Sequence, residues 1–194
     1  MKTLFSVSAG YTQARLKISN DINSNLYYFC STDLLRDALY DIPFEEDLSK
    51  INQIRSEENL ETIDEGDLIV SLVGGFAAIA SEDLTNESFI LTQNFAKITP
   101  SKEIDKKYLL FLLNEDRNIR SQLFGNIVGI GRTKITVKQL SELTIDKLPP
   151  LDKQKLIGDV YIKTKRLTYL RKQSLELKEK YTIEALKASL RQRK

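Results

Sequence analysis

The sequence has 194 residues, of which 41% are apolar, and it carries 29 basic side chains, 27 acidic ones and no histidine. This length can hold one domain with a sizeable core plus an appendage, and the lack of any run of about 18 apolar residues excludes a membrane-spanning helix. The lack of histidine excludes Ser-His-Asp and Cys-His catalysis as well as histidine zinc sites, while catalysis by lysine or a carboxylate stays open.

The single cysteine and the N-terminal residues bear on the cellular compartment. Cys30 cannot form a disulfide within the chain, which agrees with a reducing environment, and its apolar neighbours predict a small core residue. The N-terminus has only a short apolar patch before it turns basic, so it makes a poor signal peptide. Together these features predict a cytoplasmic location.

Short apolar runs and turn residues predict the elements of the first half of the chain. Ser31 or Thr32 can cap a helix that continues to Leu39 and ends before Pro43. The other predicted elements, in order, are a strand at 4–7, a turn at Gly10 that leads into a basic segment, a buried strand at 26–30 and an acidic, polar surface segment at 44–65.

A hairpin, one strand and one helix are predicted for the next part of the chain. The hairpin covers 66–83 and turns at the Gly74-Gly75 pair. A single strand at 89–99 follows, and Ser101 can cap one helix that reaches Leu123.

A glycine-punctuated loop at 125–131 leads into a last predicted strand at 144–148. Pro149-Pro150 then separates a domain of residues 1–150 from the rest of the chain. Because hairpins and scattered helices occur without regular βαβ alternation, we predict an α+β fold for this domain.

The last segment, 151–194, has the composition and spacing of one long helix. Its apolar residues recur at spacings of three, four and seven, which places them on one stripe of a helix about 60 Å long. Because so long a stripe needs another helix to cover it, we predict a coiled coil over 152–192, with packing of the helix on its own domain as the alternative. The stripe consists of Leu156, Val160, Leu167, Leu170, Leu177 and Tyr181.

Charge is distributed unevenly along the chain. Residues 1–150 hold 16 basic and 22 acidic side chains, a net charge of −6, whereas residues 151–194 hold 13 and 5, a net charge of +8. Two segments within the domain, 1–20 and 117–138, carry basic residues and no acidic ones. This pattern predicts one basic face on the domain and a polyanion or an acidic partner near the helix.

Two glycine-flanked basic segments offer side chains suited to DNA. In GIGRTKIT, Arg132 could pair with a guanine edge or a phosphate and Lys134 could neutralise a phosphate. In GYTQARLK the candidate contacts to bases and phosphates are Thr12, Gln13, Arg15 and Lys17. On the residues alone, exposed turns with ordinary solvated charges are an equally good interpretation.

The sequence offers no catalytic, cofactor-binding or metal-binding candidates. The glycine run 125–131 lacks the Lys-Ser ending of a phosphate-binding P-loop. Glu176 and Lys178 have the spacing of a nuclease Glu-x-Lys, but they lie in the predicted helix without a suitable aspartate, which favours a solvated ion pair. An adenosylmethionine-binding glycine loop followed by Asn-Pro-Pro-aromatic is also missing.

Six stretches, in the expected order, resemble the specificity subunit of type I restriction–modification systems. They are GYTQAR, GDLIVSLVGG, ILTQNFAKITP, KKYLLFLLN, GIGRTKIT and LTIDKLPPLDKQKLIGDV. In that family a target-recognition domain ends with a proline pair and a Leu-x-x-Gln-x-x-Ile start to a long helix. Leu148, Pro149, Pro150, Leu151, Gln154 and Ile157 match that pattern.

The resemblance implies a non-catalytic DNA-binding chain that reads one half of a bipartite site in double-stranded DNA. It implies that the helix 151–194 serves as dimerisation element, spacer and docking site for methyltransferase subunits. S-adenosylmethionine, ATP and magnesium would then belong to the methyltransferase and restriction subunits, with no cofactor in this chain.

Full-length family members have two recognition domains and two long helices, whereas this chain has one of each. The resemblance therefore predicts a half subunit that pairs with itself or complements another half chain. The basic surplus of the helix argues against a parallel pair, so we predict an antiparallel homodimer. An alternative from a different class is a non-enzymatic coiled-coil scaffold or inhibitor that mimics a specificity subunit without reading DNA. The net charge of −6 on the domain favours this alternative, and the basic loop GIGRTKIT disfavours it.

Overall fold

A computed structural model describes residues 4–43, 47–125 and 134–191. Within these ranges two β-sheets and four short helices form an α+β domain, and a fifth, long helix follows, which confirms the predicted fold class. The strands are β1 Phe5–Ala9, β2 Asn25–Phe29, β3 Gln53–Ser56, β4 Leu68–Ser71, β5 Phe76–Ile79, β6 Phe89–Ile90 and β7 Phe95–Pro100. The helices are α1 Thr32–Leu39, α2 Lys106–Glu115, α3 Arg117–Phe124, α4 Val137–Ser141 and α5 Leu151–Arg191.

The larger sheet has the strand order β1-β7-β4-β5, and all its pairs are antiparallel. Successive side chains of a strand point to opposite faces of the sheet. Leu68 and Val70 of β4 accordingly belong to the core beneath α2 and α3, while Ile69 belongs to the core shared with α1 and the second sheet. β4 and β5 form the predicted hairpin, with Gly75 at a φ of 64° in its turn.

The smaller sheet has the order β3-β2-β6 and corrects the prediction of a surface segment at 44–65. β3 pairs antiparallel with β2, and beyond it Leu60 and Ile63 are buried. Ser56 is fully buried and its hydroxyl donates to the carbonyl of Lys17 at 2.8 Å. The acidic composition of the segment gave no sign of these buried residues. Strand β3 is also short and its partner β2 is distant in sequence, so no local pattern predicts the pairing.

The predicted strand at 89–99 is wrong as a single element. β6 pairs in parallel with β2, whereas β7 pairs with β1 and β4, so the chain changes sheets between them. The change occurs at a turn in which the Phe95 N–H donates to the carbonyl of Thr92 at 2.9 Å. The uniform β propensity of FILTQNFAKIT does not reveal this turn, since both flanking segments are extended.

Two aspartates, and not Ser101, start the helices of the next segment. The Asp105 carboxylate caps α2 by accepting the Tyr108 N–H at 3.0 Å, and Asp116 caps α3 by accepting the Ile119 N–H at 3.0 Å. One predicted helix is therefore two, because Asp116 has an extended backbone and ends α2 where it begins α3. In contrast, Ser31 caps α1 as predicted.

The segment before the long helix also differs from the prediction. Thr136 and Gln139 form a reciprocal capping box that starts the short α4. Residues 144–148 form no strand, because Thr144 exchanges hydrogen bonds with the side chain of Gln122 instead. This irregular stretch leads through the two prolines to α5.

Helix α5 contains 41 residues and is about 60 Å long. Its first half packs on α2, with Ile157, Tyr161 and Ile162 in or against the core. Every described side chain from 171 to 190 is exposed, so the second half projects from the domain. No helix within the described ranges combines the length and apolar character that crossing a membrane requires.

Candidate nucleic-acid interface

The first basic segment lies against the turn between β6 and β7. At Gly10 an added Cβ would lie 2.3 Å from the carbonyl oxygen of Thr92, so only glycine permits this close approach. Tyr11 donates its N–H to Leu91 at 2.8 Å and accepts the N–H of Gln93 at 2.8 Å. These contacts fix the start of the segment beside residues 91–94.

Four predicted DNA-binding residues come directly after these anchored positions in the sequence. Gln13 and Arg15 are the first and last residues of a short 3-10 turn and are exposed, and Thr12 precedes them half-buried. Lys17 pairs with Glu58 at 2.8 Å. The hydrogen bond to Glu58 raises the pKa of Lys17, so this lysine keeps its charge but already has a carboxylate partner.

The described residues on either side of 126–133, the range that includes the start of the second basic segment, are held by backbone hydrogen bonds. Gly125 ends α3 and donates its N–H to Ser121 at 2.7 Å, and Ile135 donates its N–H to Leu72 in the hairpin turn at 2.8 Å. Arg132 lies outside the described residues. Lys134 is exposed, and its Nζ donates to the side-chain oxygen of Asn94 at 3.2 Å.

The structure thus brings Gln13 and Lys134 to the same turn. Gln13 and Asn94 line one groove of about 320 Å³, and Lys134 contacts Asn94 from the side. The groove also contains polar side chains that sequence reasoning missed, namely Ser31, Thr32, Lys50, Asn52 and Thr92. We call this surface the Asn94 groove.

The chemistry of the Asn94 groove suits a nucleic acid. Amide side chains such as Gln13, Asn52 and Asn94 can donate to and accept from base edges, and Lys50 and Lys134 can contact phosphates. The polar Thr-Gln-Asn within an otherwise apolar strand sequence was the signal that could have indicated a turn at this edge.

Two other basic residues of the segment 117–138 already have partners within the chain. Arg120 donates to the carbonyls of Gly75 at 3.2 Å and Asn114 at 3.4 Å. Its guanidinium also lies over the ring of Phe124, 4.8 Å from the centroid, so it supports the hairpin turn. Lys138 pairs with Glu142 of the next helical turn at 3.7 Å. The predicted basic face is therefore narrower than the charge pattern suggested.

The six side chains of the predicted seam lie on one side of α5 and are exposed in the single chain. Their exposed fractions range from 45% for Leu167 and Leu170 to 75% for Tyr181, with Leu156, Val160 and Leu177 between. The residues that contact the domain, including Gln154, Gly158 and Tyr161, lie on the opposite side of the helix. Packing of α5 on its own domain therefore leaves the seam uncovered.

One of two similar solved structures shares the fold of this chain. One chain of a solved structure, described as showing complex assembly and conformational transition of the type I R-M system, matches 92% of this chain with a TM-score of 0.58 and 15% identity. The HsdS subunit from Thermoanaerobacter tengcongensis matches 88% of this chain with a TM-score of 0.45 and 16% identity. This chain covers 40% and 38% of the lengths of these two proteins.

No curated protein sequence matches the chain. The family model described as the type I restriction modification DNA specificity domain matches residues 40–185, which include most of the domain and most of α5. This match confirms the resemblance indicated by the sequence motifs. The chain belongs to the family of type I restriction–modification DNA specificity domains.

Proposed function

We propose that this chain reads one half of a bipartite DNA site for a type I restriction–modification enzyme and directs the catalytic subunits to it. The observation that carries the proposal is the convergence of Gln13, Asn94 and Lys134 at one edge of a DNA specificity domain. Residues 1–150 act as the recognition domain, and residues 151–194 act as spacer and docking helix.

DNA lies across the Asn94 groove in this proposal. Lys50 and Lys134 contact phosphates and set the register, while Gln13, Asn52 and Asn94 contact base edges. Thr12 and Arg15 flank Gln13 in the chain and add further contacts. We expect Lys17 to exchange Glu58 for a phosphate and Arg132 to contact a guanine edge or a phosphate. Because the groove contains more amides than charges, it contributes to sequence reading as well as to affinity.

Two copies of the chain pair through the exposed seam of α5. Burying six large apolar side chains per helix contributes on the order of 10 kcal/mol before the costs of association. Residues 171–194 hold 8 basic and 3 acidic side chains, a net charge of +5, whereas residues 151–170 hold 5 and 2, a net charge of +3. An antiparallel pair is favoured, because it keeps the two more basic halves apart. The recognition domains then lie at opposite ends of the pair and read the same half-site on opposite strands.

The chain supplies specificity and no catalysis. Methyltransferase subunits that carry S-adenosylmethionine dock along the helices, and a restriction subunit supplies ATP- and magnesium-dependent cleavage. Purified chain should neither methylate nor cut DNA when these cofactors are supplied. The assembly is expected to act in the cytoplasm, and turnover that copurifies with the chain contradicts this assignment of roles.

A DNA-binding experiment tests the proposed face. In gel shifts at several salt concentrations, Lys134→Ala should weaken binding and reduce the slope of log affinity against log salt by about one. Lys102→Ala is the matched control, because Lys102 is exposed beyond the far end of β7, about 20 Å along the strand from Asn94.

Each outcome of the gel shift has a clear meaning. Equal slopes for Lys134→Ala, Lys102→Ala and the parental chain contradict the proposed face. If the parental chain binds neither random-sequence nor genomic duplex at low salt, it is instead a scaffold or an inhibitor that mimics a specificity subunit.

A further inference from the structure

The joint between α5 and the domain depends on one buried polar side chain. Gln154 is 1% exposed, and its amide is fully used. Its Oε1 accepts the N–H of Asp105 at 2.8 Å, and its Nε2 donates to the carbonyls of Pro149 at 2.8 Å and Glu103 at 3.3 Å. Because Asp105 also caps α2, this side chain ties the first turn of α5 to the first turn of α2.

One turn further along, the two helices are in backbone contact. A Cβ added to Gly158 would lie 2.5 Å from the Cβ of Lys107 and 2.8 Å from the backbone nitrogen of Tyr108. Contacts this close leave no freedom for one helix to roll or tilt on the other. The crossing of α5 and α2 is therefore fixed at two successive turns, by hydrogen bonds at Gln154 and by close packing at Gly158.

Two further turns extend the joint before the helix leaves the domain. The ring of Tyr161 packs edge-on against Phe111 with centroids 5.6 Å apart, and its hydroxyl donates to Glu115 at 2.9 Å. Lys165 then pairs with the same carboxylate at 2.7 Å. Beyond Arg166, which contacts Asp41, the described side chains from 171 to 190 are all exposed.

We propose that the Gln154–Gly158 joint determines the spacing between the two DNA half-sites, because it fixes the angle at which α5 leaves the recognition domain. The inference rests on the proposed function and on the antiparallel pair. Beyond Gly158, α5 continues to Arg191, which is about 33 residues or roughly 50 Å. A tilt of about 10° at the joint therefore moves the far end of the helix by about 9 Å relative to the domain, more than two base-pair steps of about 3.4 Å.

Loosening the joint should therefore relax spacing without changing the half-site. Gln154→Met keeps the length of the side chain but removes its hydrogen-bonding groups, while Gly158→Ala forces the helices apart and leaves the amide intact. The matched control is Lys155→Met, which introduces the same side chain at an exposed neighbouring position. Each purified chain is used to select duplexes from a library with a random core of about 40 base pairs, and the bound molecules are sequenced.

We expect the parental chain and Lys155→Met to select two half-sites at one spacing. Gln154→Met and Gly158→Ala should select the same half-sites at two or more adjacent spacings, with the preference for the parental spacing reduced at least fivefold. An unchanged half-site motif shows that the domain of each variant is folded. If Gln154→Met does not fold, Gly158→Ala decides the result.

A second readout measures the joint directly. Spin labels at Asn20→Cys and Lys180→Cys, both exposed positions, report the distance between domain and helix, with unlabelled chain added in excess to suppress distances between copies. Cys30 is buried, and burial raises its pKa to about 12, so it stays unlabelled. The distance distribution of Gln154→Met should be broader than that of the parental chain.

The results separate the inference from the function on which it rests. If the parental chain selects no bipartite motif, the proposed function fails and the inference fails with it. A single sharp spacing in both joint variants overturns the inference alone, and so does a broadened distance distribution that leaves the spacing unchanged.

Discussion

Tyr161 and Tyr181 lie on the same helix, yet Tyr161 is 8% exposed and Tyr181 is 75% exposed. The first belongs to the half of α5 that packs on α2, and the second belongs to the half that projects from the domain. The exposed seam runs through both halves, from Leu156 to Tyr181, on the side opposite the domain. The domain therefore covers one face of the first half of α5. The opposite face, which carries the seam, is exposed in the single chain.

The difference between the halves also concerns how each is stabilised. The first half gains from tertiary packing and from the buried hydrogen bonds of Gln154. Across 171–190 the helix has only local interactions such as the pair of Lys172 and Glu176 at 3.8 Å. Isolated helices of this length are marginal in water, so the proposed pairing along the seam would stabilise the projecting half as well as cover its apolar side chains.

The largest expected effect comes from placing charges in the seam. Leu167→Asp with Leu170→Asp puts four carboxylates into the paired helices and should weaken pairing by more than about 5 kcal/mol. Sedimentation at micromolar concentration should then show a monomer where the parental chain is a dimer. The variant should still fold into a domain that unfolds cooperatively, because both leucines are 45% exposed in the single chain and lie outside its core.

The control for this variant adds the same charge elsewhere on the helix. Thr164→Asp with Thr168→Asp alters exposed positions outside the seam, so the chain should remain a dimer. A parental chain that is monomeric throughout, or seam and control variants with equal association, contradicts the predicted pairing.

The two tyrosines provide a matched pair for the next prediction. Tyr161→Ala removes a buried ring and the hydroxyl contact with Glu115, so the free energy of unfolding should fall by about 3 kcal/mol or more. Tyr181→Ala should change it by less than about 0.5 kcal/mol when both are measured in the monomeric Leu167→Asp, Leu170→Asp background. Urea unfolding followed by circular dichroism measures both, and equal effects would mean that the halves do not differ as described.

The smallest effect concerns acid and the ion pair at the end of the joint. Burial by itself raises the pKa of Glu115, but hydrogen bonds from Lys165 and Tyr161 outweigh it and hold the pKa below its usual value of 4.5. A carboxylate with a lowered folded-state pKa contributes stability above its unfolded-state pKa, and that contribution is lost as the pH falls through the folded value. Because the Glu115 side chain is 42% exposed, the effect should be below about 1 kcal/mol.

Glu115→Gln should lower the free energy of unfolding at neutral pH, and its difference from the parental chain should shrink as the pH falls below the usual carboxyl pKa. Glu142→Gln, which alters a surface pair within one short helix, serves as the control. A difference that is constant from neutral to acidic pH contradicts the assigned role of Glu115.

Local sequence signals predicted part of the fold, and contacts distant in sequence account for most of what they missed. Gly74-Gly75 and the Ser31 cap act within a few residues, so the hairpin and α1 were predicted. The break of FILTQNFAKIT into β6 and β7 depends on which sheets accept them, and β3 depends on pairing with β2. Ser101, Asp105 and Asp116 are all residue types that can cap a helix. Only the packed structure shows that the two aspartates do so.

The candidate site was also predicted in part from local signals, and contacts distant in sequence account for the rest. The acid-free segments indicated Gln13 and Lys134, but Asn52 and Asn94 come from distant turns that the fold brings beside them. Arg120 has the same charge as the candidate DNA contacts, and its role in supporting a turn appears only from its contacts with Gly75 and Phe124. Gln154 was indicated by the family motif, whereas its three hydrogen bonds explain why that position requires an amide.

Mapping of methylated bases in cells that express this chain together with the methyltransferase subunits of the proposed assembly tests the paired, DNA-reading function most directly. Two identical half-sites on opposite strands should give one interrupted palindrome, with one spacing, that disappears when the gene for this chain is deleted. An asymmetric methylated site, or a methylation pattern that is unchanged by the deletion, would contradict the account.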